Sequence, residues 1–132
     1  MKRVFTIAFL GLVLAGPALA DPGAIRMVIR DQIAAFERDD FARAFSHASP
    51  TIRDIFRTPE RFGVMVQQGY PMVWRPDEVQ FLEAEKRGGR VFQPVMIRDG
   101  KGTLHILDYE MVEGDAGWKI DGVRLREPAG AV

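Results

Sequence analysis

The sequence contains no cysteine. That excludes disulfide staples, thiolate metal sites and cysteine nucleophiles. It also excludes a lipid attached at a cysteine beside a cleavage point. Histidine is almost as scarce, with only His47 and His105. Neither has a second His or a carboxylate cluster at ligand spacing, so no metal and no other cofactor is expected. No G-x-S-x-G nucleophile elbow is present. The glycines at 88–89 and 100–102 sit in turn segments and do not lead into helices, as a phosphate loop would. An excess of charge of one sign is missing too: 18 basic residues face 18 acidic ones. The chain therefore lacks the electrostatic footprint of a nucleic-acid binder. Long apolar runs are also absent. A spanning helix needs ~20 apolar residues, and the run from Val4 to Leu14 is far shorter.

That short run has its own meaning. Lys2 and Arg3 precede it, Gly16-Pro17 breaks it, and Ala18-Leu19-Ala20 forms an A-x-A cleavage site before Asp21. Residues 1–20 are expected to be a signal peptide, giving a periplasmic or secreted protein with no membrane association after cleavage. Cleavage leaves residues 21–132, enough for one domain around one core. Loss of Lys2 and Arg3 moves the net charge only to about −2.

The mature chain divides into two halves. Asp21-Pro22 is a cap followed by a proline that tolerates the first helical turn. Ile25, Val28, Ile29, Ile33 and Phe36 follow as one apolar stripe at helical spacing. Asp39-Asp40 marks a break and a second cap, before Phe41, Ala44, Phe45 and Ala48. Ser49-Pro50 and Thr58-Pro59 repeat the cap-plus-proline start. Gly69 is the expected C-terminal glycine of the last of these helices. Pro71 and Pro76 then restrict Tyr70 and Arg75, so 69–76 is expected to be an extended crossing.

Beyond Pro76 the periodicity changes to that of strands, expected at 78–87, 90–98, 103–113 and 117–126. Gly88-Gly89, Asp99-Gly100-Lys101-Gly102 and Glu113-Gly114-Asp115-Ala116 separate them as hairpin turns. Gly122 interrupts the last strand. Trp118 and Ile120 share a face with Val123 and Leu125 only if one residue bulges out between them. Pro94 places its strand at an edge or a bulge. Pro128 to Val132 reads as a frayed tail.

Helices followed by an antiparallel meander define the α+β class, with the helices covering one sheet face. The stretches "FERDDFARAFSHAS", "GYPMVWRP" and "GWKIDGV" resemble a family of exported bacterial proteins catalogued as a domain of unknown function. The order of elements is also similar to the nuclear-transport-factor-2-like superfamily. There a curved sheet and helices enclose a conical pocket. That likeness implies a fold shared by steroid isomerases, polyketide cyclases, dehydratases and proteins without chemistry. It also implies homodimers packed through the sheet.

Six residues stand out as site candidates. Tyr70, Trp74 and Arg75 lie in the crossing. Tyr and Trp combine large apolar bodies with a polar tip that suits a core plug or a pocket rim. Arg75 can cap carbonyls of the crossing or fork onto an anion. In the strand "TLHILDYEM", His105, Leu107, Tyr109 and Met111 share one face; Leu104, Ile106, Asp108, Glu110 and Val112 share the other. His105 with Tyr109 is an acid–base and hydrogen-bonding pair if the first face is covered. Asp108 is a candidate base if the second is.

Three functions follow. The leading one is binding of a small, mostly apolar ligand in the cone without catalysis. The second is an isomerase, dehydratase or hydrolase acting through His105 or Asp108 with Tyr70 or Tyr109. The third is a protein-interaction module whose cone is filled by its own side chains. A pocket of roughly 300 Å³ or more with convergent polar groups favours the first two.

Overall fold

A computed structural model describes residues 21–126. The signal-peptide reading (1–20) and the frayed-tail reading lie outside the described residues. Five helices precede the sheet: α1 (Pro22–Glu37), α2 (Phe41–Ser46), α3 (Pro50–Phe56), α4 (Pro59–Gly69) and α5 (Pro71–Trp74). The strands are β1 (Pro76–Phe81), β2 (Glu85–Arg87), β3 (Arg90–Asp99), β4 (Leu104–Gly114) and β5 (Gly117–Arg126). The architecture is α+β, with helices packed on an open antiparallel sheet.

The helix starts follow from local chemistry. The side chains of Asp21, Asp40, Ser49 and Thr58 each accept a hydrogen bond from the backbone N–H three residues on, at 3.1–3.2 Å. Each satisfies a donor that the first turn leaves without a helical partner. Between α1 and α2, Asp39 takes a left-handed turn at φ 56°. Gly69 differs from expectation. It is the last residue of α4, and Tyr70 serves as the cap with its N–H on the Val66 carbonyl. The crossing differs too. Pro71 opens a single helical turn, because proline's fixed φ suits the first helical position even though it bars the middle of a helix.

The sheet order is β1-β3-β4-β5, with β2 also pairing to β3. One strand expected over 78–87 is thus two, interrupted at residues 82–84. Pro94 accounts for the gap. It sits inside β3, not at an edge, opposite Asp108 of β4. Its carbonyl accepts from the Leu82 N–H at 3.0 Å. Its nitrogen faces the same side and has no hydrogen to give, so the neighbouring ladder breaks there. The Gly88-Gly89 turn, with both φ positive, closes the β2–β3 hairpin as only glycines comfortably can.

The last strand carries the expected bulge. Glu110 pairs with Gly122 and Met111 with Ile120, leaving Asp121 unpaired in the ladder. Trp118, Ile120, Val123 and Leu125 therefore align with one face of β4. That face also holds His105, Leu107, Tyr109 and Met111. The helices cover it, and Val95, Ile97, Leu107, Tyr109, Met111 and Ile120 join Ile25, Ile29, Ile33 and Phe36 in one core. The bulge docks on the α2–α3 link: Ser49 N–H donates to the Ile120 carbonyl, and Ser49 Oγ donates to Asp121 Oδ1 at 2.7 Å.

Candidate functional site

Where the helix layer meets β4 and β5, packing leaves a cavity of about 230 Å³. Gln32 and Phe36 of α1 form its back. Ile52 and Phe56 of α3, and Phe62, Met65 and Val66 of α4, form one side. Tyr70 and Val73 close another, and Tyr109, Ile120, Gly122 and Val123 form the sheet wall. Its depth is fully buried, whereas Ile52, Phe56, Met65, Tyr70 and Val123 are only half-buried and frame the mouth. No residue of α3 is buried, so this helix lies on the rim and does not plug the space.

The wall is apolar except for three groups. The Gln32 side chain, within the α1 stripe, donates from its amide nitrogen to the Ala44 carbonyl at 3.1 Å. The Tyr70 hydroxyl donates to the Val123 carbonyl at 3.1 Å. Tyr109 is completely buried, and its hydroxyl has no partner among the described residues. Burial, with a smaller contribution from Tyr70, pushes its phenol pKa well above the ordinary value. The group is therefore a neutral hydroxyl, able to donate one hydrogen bond and accept others.

Of the six sequence candidates, Tyr70 and Tyr109 meet at this cavity. The other four lie elsewhere. Trp74 and Arg75 clasp the end of α1. Trp74 Nε1 donates to Asp39 Oδ1 at 2.9 Å, and the Arg75 guanidinium forks onto both Asp39 oxygens at 3.0 and 3.1 Å. Arg75 also donates to the Phe36 carbonyl at 2.8 Å and lies 4.0 Å over the Trp74 ring. Its donors are thus committed to capping carbonyls and to Asp39. The Asp39 carboxyl is held below the ordinary range, first by the Trp74 hydrogen bond and then by Arg75.

His105 shares the covered face but sits by the β3–β4 turn, outside the cavity wall. Its Nε2 meets Asp99 Oδ2 at 2.8 Å, while Asp99 Oδ1 accepts from the Lys101 and Thr103 N–H groups. Asp108 is on the opposite, open face, where Arg126 donates to its carboxylate at 2.6 Å. There it lines a polar groove of about 210 Å³ with Arg87, Glu110 and Arg124. A regular strand cannot direct both His105 and Asp108 to one side, and neither reaches the apolar cavity.

Three cavity residues escaped the sequence reading. Phe62 and Val66 look like ordinary core positions, and nothing in their spacing distinguishes a lining residue from a packed one. Gln32 did carry a signal. It is an amide three residues after Ile29 and four before Phe36, on the face that the helix buries. A third cluster also went unread. Asp31 accepts two hydrogen bonds from Arg43 and meets His47 Nε2 at 2.5 Å, tying α1 to α2. Among the described residues, no group of three or more His, Cys, Asp or Glu is placed to hold a metal ion. No described helix is long and apolar enough to cross a membrane.

These features define a class: an α+β domain with helices on one face of an open antiparallel sheet and an apolar cavity between the layers. The chain belongs to the family described as a domain of unknown function, DUF4864, whose model matches residues 18–131. It is also similar to the solution structure of a SEC-C motif containing protein from Rhodopseudomonas palustris. The TM-score is 0.52 at 19% identity, over 76% of this chain and 77% of that chain. At that identity the likeness is one of fold. No curated protein matches the sequence.

Proposed function

We propose that this protein binds a small, mostly apolar molecule in the cavity between the helix layer and the β4–β5 wall, without catalysing a reaction on it. One observation carries the reading: an apolar cavity of about 230 Å³ keeps an unpartnered hydroxyl, Tyr109, in its wall. A polar group left unpaired in such a place costs folding free energy. A guest that pairs with it recovers that cost. The size supports a guest of about one ring, since an apolar cavity of about 150 Å³ accepts benzene. It is smaller than the range for drug-sized ligands.

The acid–base enzyme reading has less support, because His105 and Asp108 are placed away from the cavity. The filled-cone reading has less support because space remains. We read the bulged β5 and the helix layer as two sides of a shallow cone of the nuclear-transport-factor-2-like kind. Export after cleavage at Ala20 belongs to the same proposal, and N-terminal sequencing that found Met1 on the abundant soluble form would remove it. So does pairing of two copies through the open sheet face, where Leu104 is exposed. Sedimentation equilibrium showing a single-chain mass at micromolar concentration would remove that part.

The binding proposal is tested by thermal melts of the protein with toluene. Toluene is expected to raise the Tm of the wild type but not of Val66→Phe, whose added ring occupies the space. An unchanged wild-type Tm at saturating toluene overturns the proposal.

A further inference from the structure

We infer that the guest of this cavity is a neutral, single-ring aromatic compound bearing one hydroxyl group: a small phenol. The inference rests on the reading of the cavity as a ligand site and adds the guest's chemistry.

Shape comes first. Phe36, Phe56 and Phe62 line the cavity, and their rings already meet in tilted and edge-on pairs with centroids 5.7–5.8 Å apart. Aromatic faces and edges attract one another at ~4.5–7 Å. A flat guest extends this array in a way that a branched aliphatic guest does not. The volume of about 230 Å³ leaves room for a ring with one or two small substituents.

Charge comes second. No Lys, Arg, His, Asp or Glu lines the wall. A carboxylate or ammonium guest would lose its hydration with no opposite charge to meet it, a large cost. The guest is therefore neutral.

Hydrogen bonding comes third. The Tyr109 hydroxyl is the unpartnered donor. Gln32 has its amide nitrogen engaged by Ala44, which leaves its carbonyl oxygen as an acceptor. A guest hydroxyl both accepts and donates, so one phenol oxygen can take the Tyr109 hydrogen and give its own to Gln32. A ketone can serve only the first group, and a plain hydrocarbon neither.

Calorimetric titration of the purified protein with toluene, p-cresol and p-toluate tests this. These share a methylated ring and differ in the polar group. The p-cresol Kd is expected to be about tenfold lower than that of toluene, the equivalent of about 1.4 kcal/mol, with p-toluate showing no binding. In Tyr109→Phe the p-cresol advantage should shrink to about twofold or less. Toluene binding as tightly as p-cresol, p-toluate binding best, or an undiminished p-cresol advantage in Tyr109→Phe each overturns the phenol inference while leaving an apolar site in place. Failure of all three probes to bind overturns the site and the inference together.

Discussion

Replacing Tyr109 with Phe should make the empty protein more stable. The usual outcome for a buried tyrosine is the reverse, because its hydroxyl is normally bonded. Here the side chain is fully buried and its oxygen has no partner among the described residues. An unsatisfied buried hydroxyl costs about 1–3 kcal/mol. Phe keeps the ring, so the apolar contacts of Tyr109 are retained and only the stranded oxygen is lost. The expected gain is thus about 1–3 kcal/mol, or a Tm rise of at least ~4 °C for a domain near this size. Tyr70 supplies the matched control. Its hydroxyl donates to the Val123 carbonyl at 3.1 Å, so Tyr70→Phe should lose about 0.5–1.5 kcal/mol. Urea melts with a common m value measure both. The phenol adds a pH signature. Its folded pKa lies above the unfolded value, so its contribution is intact below about pH 10 and is lost as pH rises further. Alkaline unfolding of the wild type should therefore exceed that of Tyr109→Phe. A Tyr109→Phe protein less stable than wild type at neutral pH, with unchanged m, would refute the reasoning by showing that the hydroxyl is bonded in solution.

Three further outcomes follow from other parts of the fold. Trp74→Ala should cost about 2 kcal/mol, less than a fully buried Trp because the ring is half-exposed. Toluene affinity should not change, and an unaltered urea midpoint would contradict the clasp at Asp39. Gly63→Ala should destabilise by about 1 kcal/mol or more, despite alanine's helix preference, because the new Cβ would lie 2.7 Å from the Phe41 ring; a raised Tm would show that the ring yields freely. The carboxyls of Asp31, Asp39 and Asp99 are held low by hydrogen bonds, chiefly from Arg43, Trp74 and His105 respectively. Folded pKa values below the ordinary 3.8 mean stability present above that pH and lost as pH falls through the lowered values. Urea midpoints should decline below about pH 4, less steeply in Asp39→Asn, and a flat acid limb would refute the assignment.

Local chemistry made much of the fold legible. Four side-chain caps mark helix starts because a cap acts within three residues of itself. The bulge was legible because Ile120 and Val123 are out of alternation, and only one inserted residue restores a common face. The interruption at 82–84 was not, since its cause, Pro94, is on a neighbouring strand. Phe81 to Arg87 alone carries no sign of it. The crossing misled for a related reason: proline forbids a helix behind it but permits one ahead. At the site, Tyr70 and Tyr109 were legible as rings with polar tips. Which face of β4 is covered was not, because apolar residues alternate on both sides and only the helix layer breaks the tie. Trp74 and Arg75 drew notice for the right composition. Their partner Asp39 is more than thirty residues away, beyond the reach of any spacing argument.

The unpaired Asp121 has a consequence for how this gene can change. Upstream of it, the strand counts faces in one phase; downstream, in the opposite phase. A substitution at Arg124 alters one surface charge and leaves the count intact. Loss of the single codon for Asp121 shifts the count itself, turning Val123 and Leu125 outward and Arg124 toward the core, and it also removes the carboxylate that holds Ser49. The strand from Gly117 to Leu125 is therefore more tolerant of changed letters than of changed length. Among descendants of this gene, residues there are free to drift, while insertions and deletions should be purged from β5 and accumulate instead in the exposed turns at 100–102 and 115–116.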